Sequence, residues 1–222
     1  MVGRDVVVGL YTKFGRGQQP LAGSWYYLAA VAFSACNQPD MVPVVYEVAT
    51  EHEAPATVVP RMREALLKST PLAGLPRAIN SMAALRDAAP ADLRATAPER
   101  PAQTLEERAE AGERTWARTY GKVADRVYAH LDTASPDLAL FAQRDVYGSL
   151  LSHTGVLSLR ETSLVVITCL VGLPDVGPQL KGHLHGGLNN GASLEEIRAV
   201  RALALDVCAA CGVAWRGPVP SL

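Results

Sequence analysis

The sequence predicts an all-α protein, built as a two-repeat helical bundle. Three observations carry that reading. Alanine and leucine dominate, and no run shows the period-two alternation of a half-buried strand. Ser/Thr-x-x-Glu capping boxes stand before helical stretches at Thr104–Glu107, Ser158–Glu161 and Ser193–Glu196. An apolar stretch ending near a cysteine and followed by Pro-Asp-x-x-Pro occurs twice, at Pro39–Pro43 and Pro174–Pro178. Such self-similarity points to two related halves.

The elements follow in order. Val6-Val7-Val8 is too short to count as a strand. Residues 21–37 read as an apolar helix, ended by Asn37-Gln38-Pro39-Asp40. Residues 41–53 read as a second helix, with Pro43 tolerated in its first turn. Val59–Thr70 and Pro71–Ala88 read as two more, separated at Ser69-Thr70-Pro71. Residues 1–88 thus form a diverged N-terminal repeat. Residues 89–103, with Pro90, Pro98 and Pro101, read as a linker. Residues 104–222 form the second repeat. Thr104 opens an amphipathic helix expected to run to about Leu131, and Ser135-Pro136 starts another. Ser158 caps an apolar helix to Val171. After a break at 173–177 the next helix runs to about Asn190, where Asn189-Asn190-Gly191 supplies a left-handed stop. Ser193 caps the last helix, which ends at Gly212. Ala73-Gly74 is the counterpart of Cys211-Gly212 in the first repeat.

Composition excludes several classes. The 222 residues are 49% hydrophobic and 19% charged, with a net charge of −1, so no basic face for nucleic acid is expected. No apolar stretch reaches membrane-spanning length, so no membrane partner is expected either. Lys13 and Arg16 ahead of Trp25–Cys36 resemble a signal sequence, but the repeat gives that segment a structural job. The cysteines Cys36, Cys169, Cys208 and Cys211 do not make a secreted disulfide framework. Cys208-x-x-Cys211 lies at a helix C-terminus, where the dipole disfavours a thiolate, so all four read as small buried residues. A cytoplasmic location is expected, with mitochondrion and peroxisome open. Pro220-Ser221-Leu222 lacks the basic residue of the Ser-Lys-Leu peroxisomal address.

The stretch from Leu173 to Arg198, with His183, His185, Asn189-Asn190-Gly191 and the capped Glu195-Glu196, resembles the signature of the carboxymuconolactone decarboxylase and alkylhydroperoxidase D-like family. Leu157-Ser-Leu-Arg160-Glu161 is similar to that family's entry into the preceding helix. The likeness covers residues 157–213, with a weaker match from Arg63 to Ala78. It implies an all-helical homo-oligomer. Aligned on His183, the peroxidase branch's cysteines correspond to Val176 and Gln179, and its upstream glutamate to Ser163. Its thiol nucleophiles are therefore missing, although His183 and His185 match its H-x-H. The decarboxylase branch needs no such cysteines.

The resemblance implies a cofactor-free enzyme acting on a small organic acid or lactone, with no metal. His183 and His185 are the catalytic candidates, and Gln179 and Ser163 the substrate-binding ones. A lactone substrate can delocalise the charge left by departing CO2, so the protein need only stabilise an oxyanion and move a proton. Two residues apart on a helix, the two histidine rings point to nearly opposite faces, which does not suit chelation of one metal. Two alternatives remain. One is a thiol peroxidase or disulfide reductase using Cys208 and Cys211. The other is a non-catalytic helical scaffold. Trp116 and Tyr120, spaced i, i+4, read as one packed stripe.

Overall fold

A computed structural model describes residues 2–222. Among the described residues every regular element is a helix. The helices are α1 (Arg4–Leu10), α2 (Trp25–Ala35), α3 (Met41–Thr50), α4 (Pro55–Ala73), α5 (Leu75–Ala88), α6 (Leu105–Tyr120), α7 (Ala124–Ala134), α8 (Pro136–Leu140), α9 (Leu159–Val171), α10 (Gly177–Asn189) and α11 (Leu194–Ala210). α1 continues as π-helix through Tyr11–Gly15, and α8 through Phe141–Leu151.

Packing displays the internal repeat. In the first half α2 lies against α3 and α4; in the second, α9 lies against α10 and α11. The halves then exchange contacts reciprocally. α2 meets α9, α4 packs on α9, and α11 packs on α2. Each half is preceded by a helix that passes from α into π geometry, and each turns through a left-handed residue at its Pro-Asp break, Asn37 and Asp175. Asn and Asp reach that conformation more readily than other non-glycine residues. The third helix of each repeat ends at a glycine with positive φ, Gly74 and Gly212.

Every residue of α2 is buried, including Trp25, Tyr26, Tyr27 and Phe33, and α9 is buried from Thr162 to Val171. These two helices are buried all round because each is covered by helices of both halves. The three capping boxes form as the sequence predicts. Glu161 also receives an ion pair from Arg61 on α4, which ties the start of α9 to the first repeat.

Two sequence expectations are corrected. The break at Ser69-Thr70-Pro71 does not occur: α4 runs through Pro60 and Pro71 to Ala73, and the chain turns at Gly74. The helix opened by Thr104 stops at Tyr120, because Gly121 takes a positive φ, and α7 begins separately after a 3-10 turn. Val6-Val7-Val8 is not a strand, as expected, but part of α1, with Val7 fully buried.

α6 and the π-helical segment after α8 lie in backbone contact. A Cβ at Gly112 would come within 2.2 Å of the Gln143 carbonyl oxygen, and one at Gly148 within 2.1 Å of the Arg108 oxygen. Only glycine permits that approach. α10 crosses α6 nearly as closely, since a Cβ at Gly186 would stand 2.8 Å from the Thr119 methyl carbon. Side chains of α6, α9, α10 and the 141–151 segment therefore converge on one small space.

Candidate active site

That space is a cavity of about 10 Å³ among Thr119, Tyr147, Thr162, Ser163, His183 and Asn190. It has room for roughly one water molecule. Ser163 comes from the second turn of α9, after its cap. His183 comes from α10, and Asn190 follows the last turn of that helix.

His183 Nε2 lies 3.4 Å from the Tyr120 hydroxyl, which accepts a hydrogen bond from the Tyr147 hydroxyl at 3.0 Å. Trp116 packs on both tyrosines, with ring centroids 4.5 Å from Tyr120 and 4.8 Å from Tyr147, and its own N–H is held by the Ala124 carbonyl. Burial pushes the His183 pKa down to about 4, so the imidazole is neutral near pH 7. Burial raises the Tyr120 and Tyr147 pKa values, so both phenols keep their protons there. A neutral imidazole beside a protonated phenol can accept a proton and pass one on.

The opposite wall is a hydroxyl–amide network. Asn190 Nδ2 donates to Thr119 Oγ1 at 3.1 Å and to Ser163 Oγ at 3.0 Å. Thr119 and Ser163 send their own protons to the carbonyls of Thr115 and Leu159. Both hydroxyls are thus acceptors toward Asn190, which fixes the amide's orientation. Asn190 Oδ1 is left buried with no donor. An unpaired buried acceptor is costly, and a small donor molecule in the cavity would satisfy it.

The four residues singled out from sequence separate into two pairs. His183 and Ser163 line the same cavity. His185 is exposed, with Nδ1 2.9 Å from the Lys181 carbonyl of its own helix, and Gln179 is exposed on α10. Neither lines the cavity, because the helical turn carries His185 round the axis and Gln179 sits one turn toward the surface end. Sequence reasoning missed Tyr147, Thr119 and Asn190, and took Tyr120 only for packing. Asn190 was legible as a helix stop but not as an amide lining a cavity.

Two further polar features adjoin this cavity. Lys68 of α4 is fully buried, and its ammonium donates to the carbonyls of Leu151 and His153 and to Thr162 Oγ1, at 3.2, 2.7 and 2.8 Å. It lies 3.6 Å from Glu64, which also takes Arg100 at 2.7 Å. Burial lowers the Lys68 pKa to about 8. Beyond it opens a cleft of about 390 Å³ lined by Arg100, Arg114, Ser149, Ser152 and His153, and Thr115 belongs to the walls of both spaces. The Ser149 hydroxyl is buried there without a partner.

An all-helical two-repeat bundle with its titratable cavity confined to the second repeat is the class this architecture defines. The chain is 40% identical to Peroxisomal protein 2 of Schizosaccharomyces pombe, over 89% of this chain and 91% of that protein. It is 32% identical to Peroxisomal protein 2 of Saccharomyces cerevisiae, over 91% and 93%. The chain belongs to the Peroxisomal protein 2 family. No protein-family profile matches it, and no solved structure does.

Proposed function

We propose that the chain is a cofactor-free enzyme of the carboxymuconolactone decarboxylase type, moving a proton on a small organic acid or lactone through His183. The observation that carries this reading is the cavity itself. A neutral histidine backed by two phenols faces an unpaired Asn190 acceptor across a space polar on both sides. In this reading His183 and Tyr120 handle the proton, and Asn190 and Ser163 orient the bound group. The adjoining cleft, where Arg100 is paired with Glu64 and Arg114 with Glu110, supplies the room that a carboxylate needs and the cavity lacks. Thr115, common to both walls, must shift for the two spaces to join. The relatives' names support a peroxisomal location, which imaging of a tagged chain beside a peroxisomal marker tests.

The test is a thermal-shift and turnover screen with small unsaturated acids and lactones, on wild type and His183→Ala. A ligand that binds only the folded state raises the melting temperature. A shift or turnover lost in His183→Ala supports the reading. The absence of both with every compound overturns it. The second reading, a non-catalytic scaffold, is favoured by the cavity's small volume, and it gains if Arg100→Ala and His183→Ala leave every ligand response unchanged.

A further inference from the structure

Cys36 and the Cys208–Cys211 end of α11, far apart in sequence, meet in the fold. Cys36 ends α2 in the first repeat; Cys208 and Cys211 lie at the end of α11 in the second. The Cys36 and Cys208 sulfurs are 3.8 Å apart across 172 residues of chain. Cys211 lies one helical turn beyond Cys208, its N–H bonded to the Cys208 carbonyl at 3.1 Å. Cys36 and Cys208 are buried, while Cys211 keeps partial exposure at the edge of a groove of about 480 Å³ beside Gln38, Asp40 and Met41. The cluster is thus buried at its centre and reachable at one edge.

The pseudo-symmetric position shows what an inert version looks like. Cys169 ends the buried part of α9 as Cys36 ends α2, but its sulfur lies 3.9 Å from the Ser69 carbonyl and no second thiol is near. Burial raises its pKa to about 12. In the cluster the Cys208 thiol is bonded to the Val171 carbonyl, so Cys36 is the donor to the Cys208 sulfur. That bond lowers the Cys208 pKa and raises that of Cys36. Among the described residues no group of three His, Cys, Asp or Glu side chains is placed to hold a metal.

We infer that Cys36, Cys208 and Cys211 form a peroxide-oxidised thiol site whose product is a disulfide joining Cys36 to the Cys208–Cys211 pair, and so the two repeats to each other. Hydrogen peroxide enters by the groove and meets the Cys211 sulfur. An S–O bond forms as the O–O bond breaks, and one water leaves, giving a sulfenic acid. The Cys36 sulfur attacks it, an S–S bond forms as the S–O bond breaks, and a second water leaves. Two thiols have lost two electrons and peroxide has gained them. Cys208, adjacent to Cys36, can then displace Cys211 by thiol–disulfide exchange and seal the buried end. None of this draws on the chemistry of His183.

The test uses the full chain, reduced, desalted and treated with a few equivalents of hydrogen peroxide. Thiols are then alkylated under denaturing conditions, and the protein is weighed and peptide-mapped. The expected result is a fall from four alkylated cysteines to two, with Cys36 in the disulfide and Cys169 still alkylated. Cys169→Ser leaves the disulfide unchanged, whereas Cys36→Ser and Cys36→Ala abolish it, leaving at most a dithiothreitol-reversible sulfenic acid on Cys211. The oxidised protein melts several degrees above the reduced one, and dithiothreitol reverses the rise. Retention of four thiols, a Cys208–Cys211 disulfide that persists in both Cys36 variants, or equal melting temperatures would each overturn the inference. The wild-type map and melting curve decide the matter even if a Cys36 variant fails to fold.

Discussion

Lys68 offers a prediction whose sign and size follow from its surroundings. Its ammonium is fully buried, and its pKa falls from 10.5 to about 8 because desolvation outweighs the attraction of Glu64. A base with a depressed folded pKa binds its proton more weakly in the folded chain than in the unfolded one. Stability is therefore reduced by the full amount below pH 8 and recovers as pH rises from about 8 to 10.5. The full penalty is about 3 kcal/mol, and integrating between pH 7 and pH 9.5 gives a recovery of roughly 2 kcal/mol. Lys68→Met removes the charge but also the donor to Leu151, His153 and Thr162. At about 1 kcal/mol per hydrogen bond that loss is of similar size to the relief. The two nearly cancel at pH 7, so the test lies in the slope rather than in a single value. Urea denaturation of wild type and Lys68→Met at pH 7, 8, 9 and 9.5 measures it, and subtracting the two curves removes the titration of every other group. The expected difference moves toward wild type by roughly 2 kcal/mol across that range. A flat difference, or one moving toward the variant, would refute the account of a desolvated, charged Lys68.

Other perturbations are equally specific. In an NMR titration of the imidazole signals, His183 should have its midpoint near pH 4. Because burial depresses the folded value, the stability linked to His183 is present above pH 6.5 and lost as pH falls toward 4, so His183→Phe should flatten acid unfolding in that window. Gly148→Ala forces a Cβ to within 2.1 Å of the Arg108 carbonyl oxygen and should cost about 3 kcal/mol by denaturant titration, with the Trp116 fluorescence changing as its tyrosine neighbours shift. Ser193→Ala removes the hydroxyl that accepts the Glu196 N–H and should cost about 1 kcal/mol, with no effect on any ligand response at His183.

Much of the helical order was legible because caps and stops are local chemistry. Thr104, Ser158 and Ser193 each needed only a glutamate three residues on, and Gly191 only its freedom to take a positive φ. Pro71 misled because an early-turn rule cannot reveal that tertiary packing holds a proline inside a long helix. The site was half legible. His183 and Ser163 stood out through a resemblance, but Tyr147 arrives by way of a glycine-to-backbone crossing that no periodicity encodes. The same holds for Lys68 and the cysteine cluster, whose partners lie on the other half of the chain. Helix-dipole reasoning at Cys208 was sound as far as it went, but it considered one helix, and the neighbour that matters comes from α2.

The repeat explains why chemistry gathers in one half. Applying the offset between the two Pro-Asp breaks, Val48 is the counterpart of His183 and Leu28 that of Ser163, and both are buried apolar residues. At these two positions the first repeat carries hydrocarbon where the second carries polar groups. Filling one copy with hydrocarbon provides the stability that lets the other carry an unpaired amide oxygen, a desolvated histidine and a small void, each of which is destabilising by itself. It follows that His183→Leu together with Ser163→Leu, which makes the second repeat resemble the first, should raise the melting temperature while abolishing whatever the cavity binds. A lowered melting temperature would mean instead that the polar network is a structural requirement of the second repeat, and the case for a site there would fall with it.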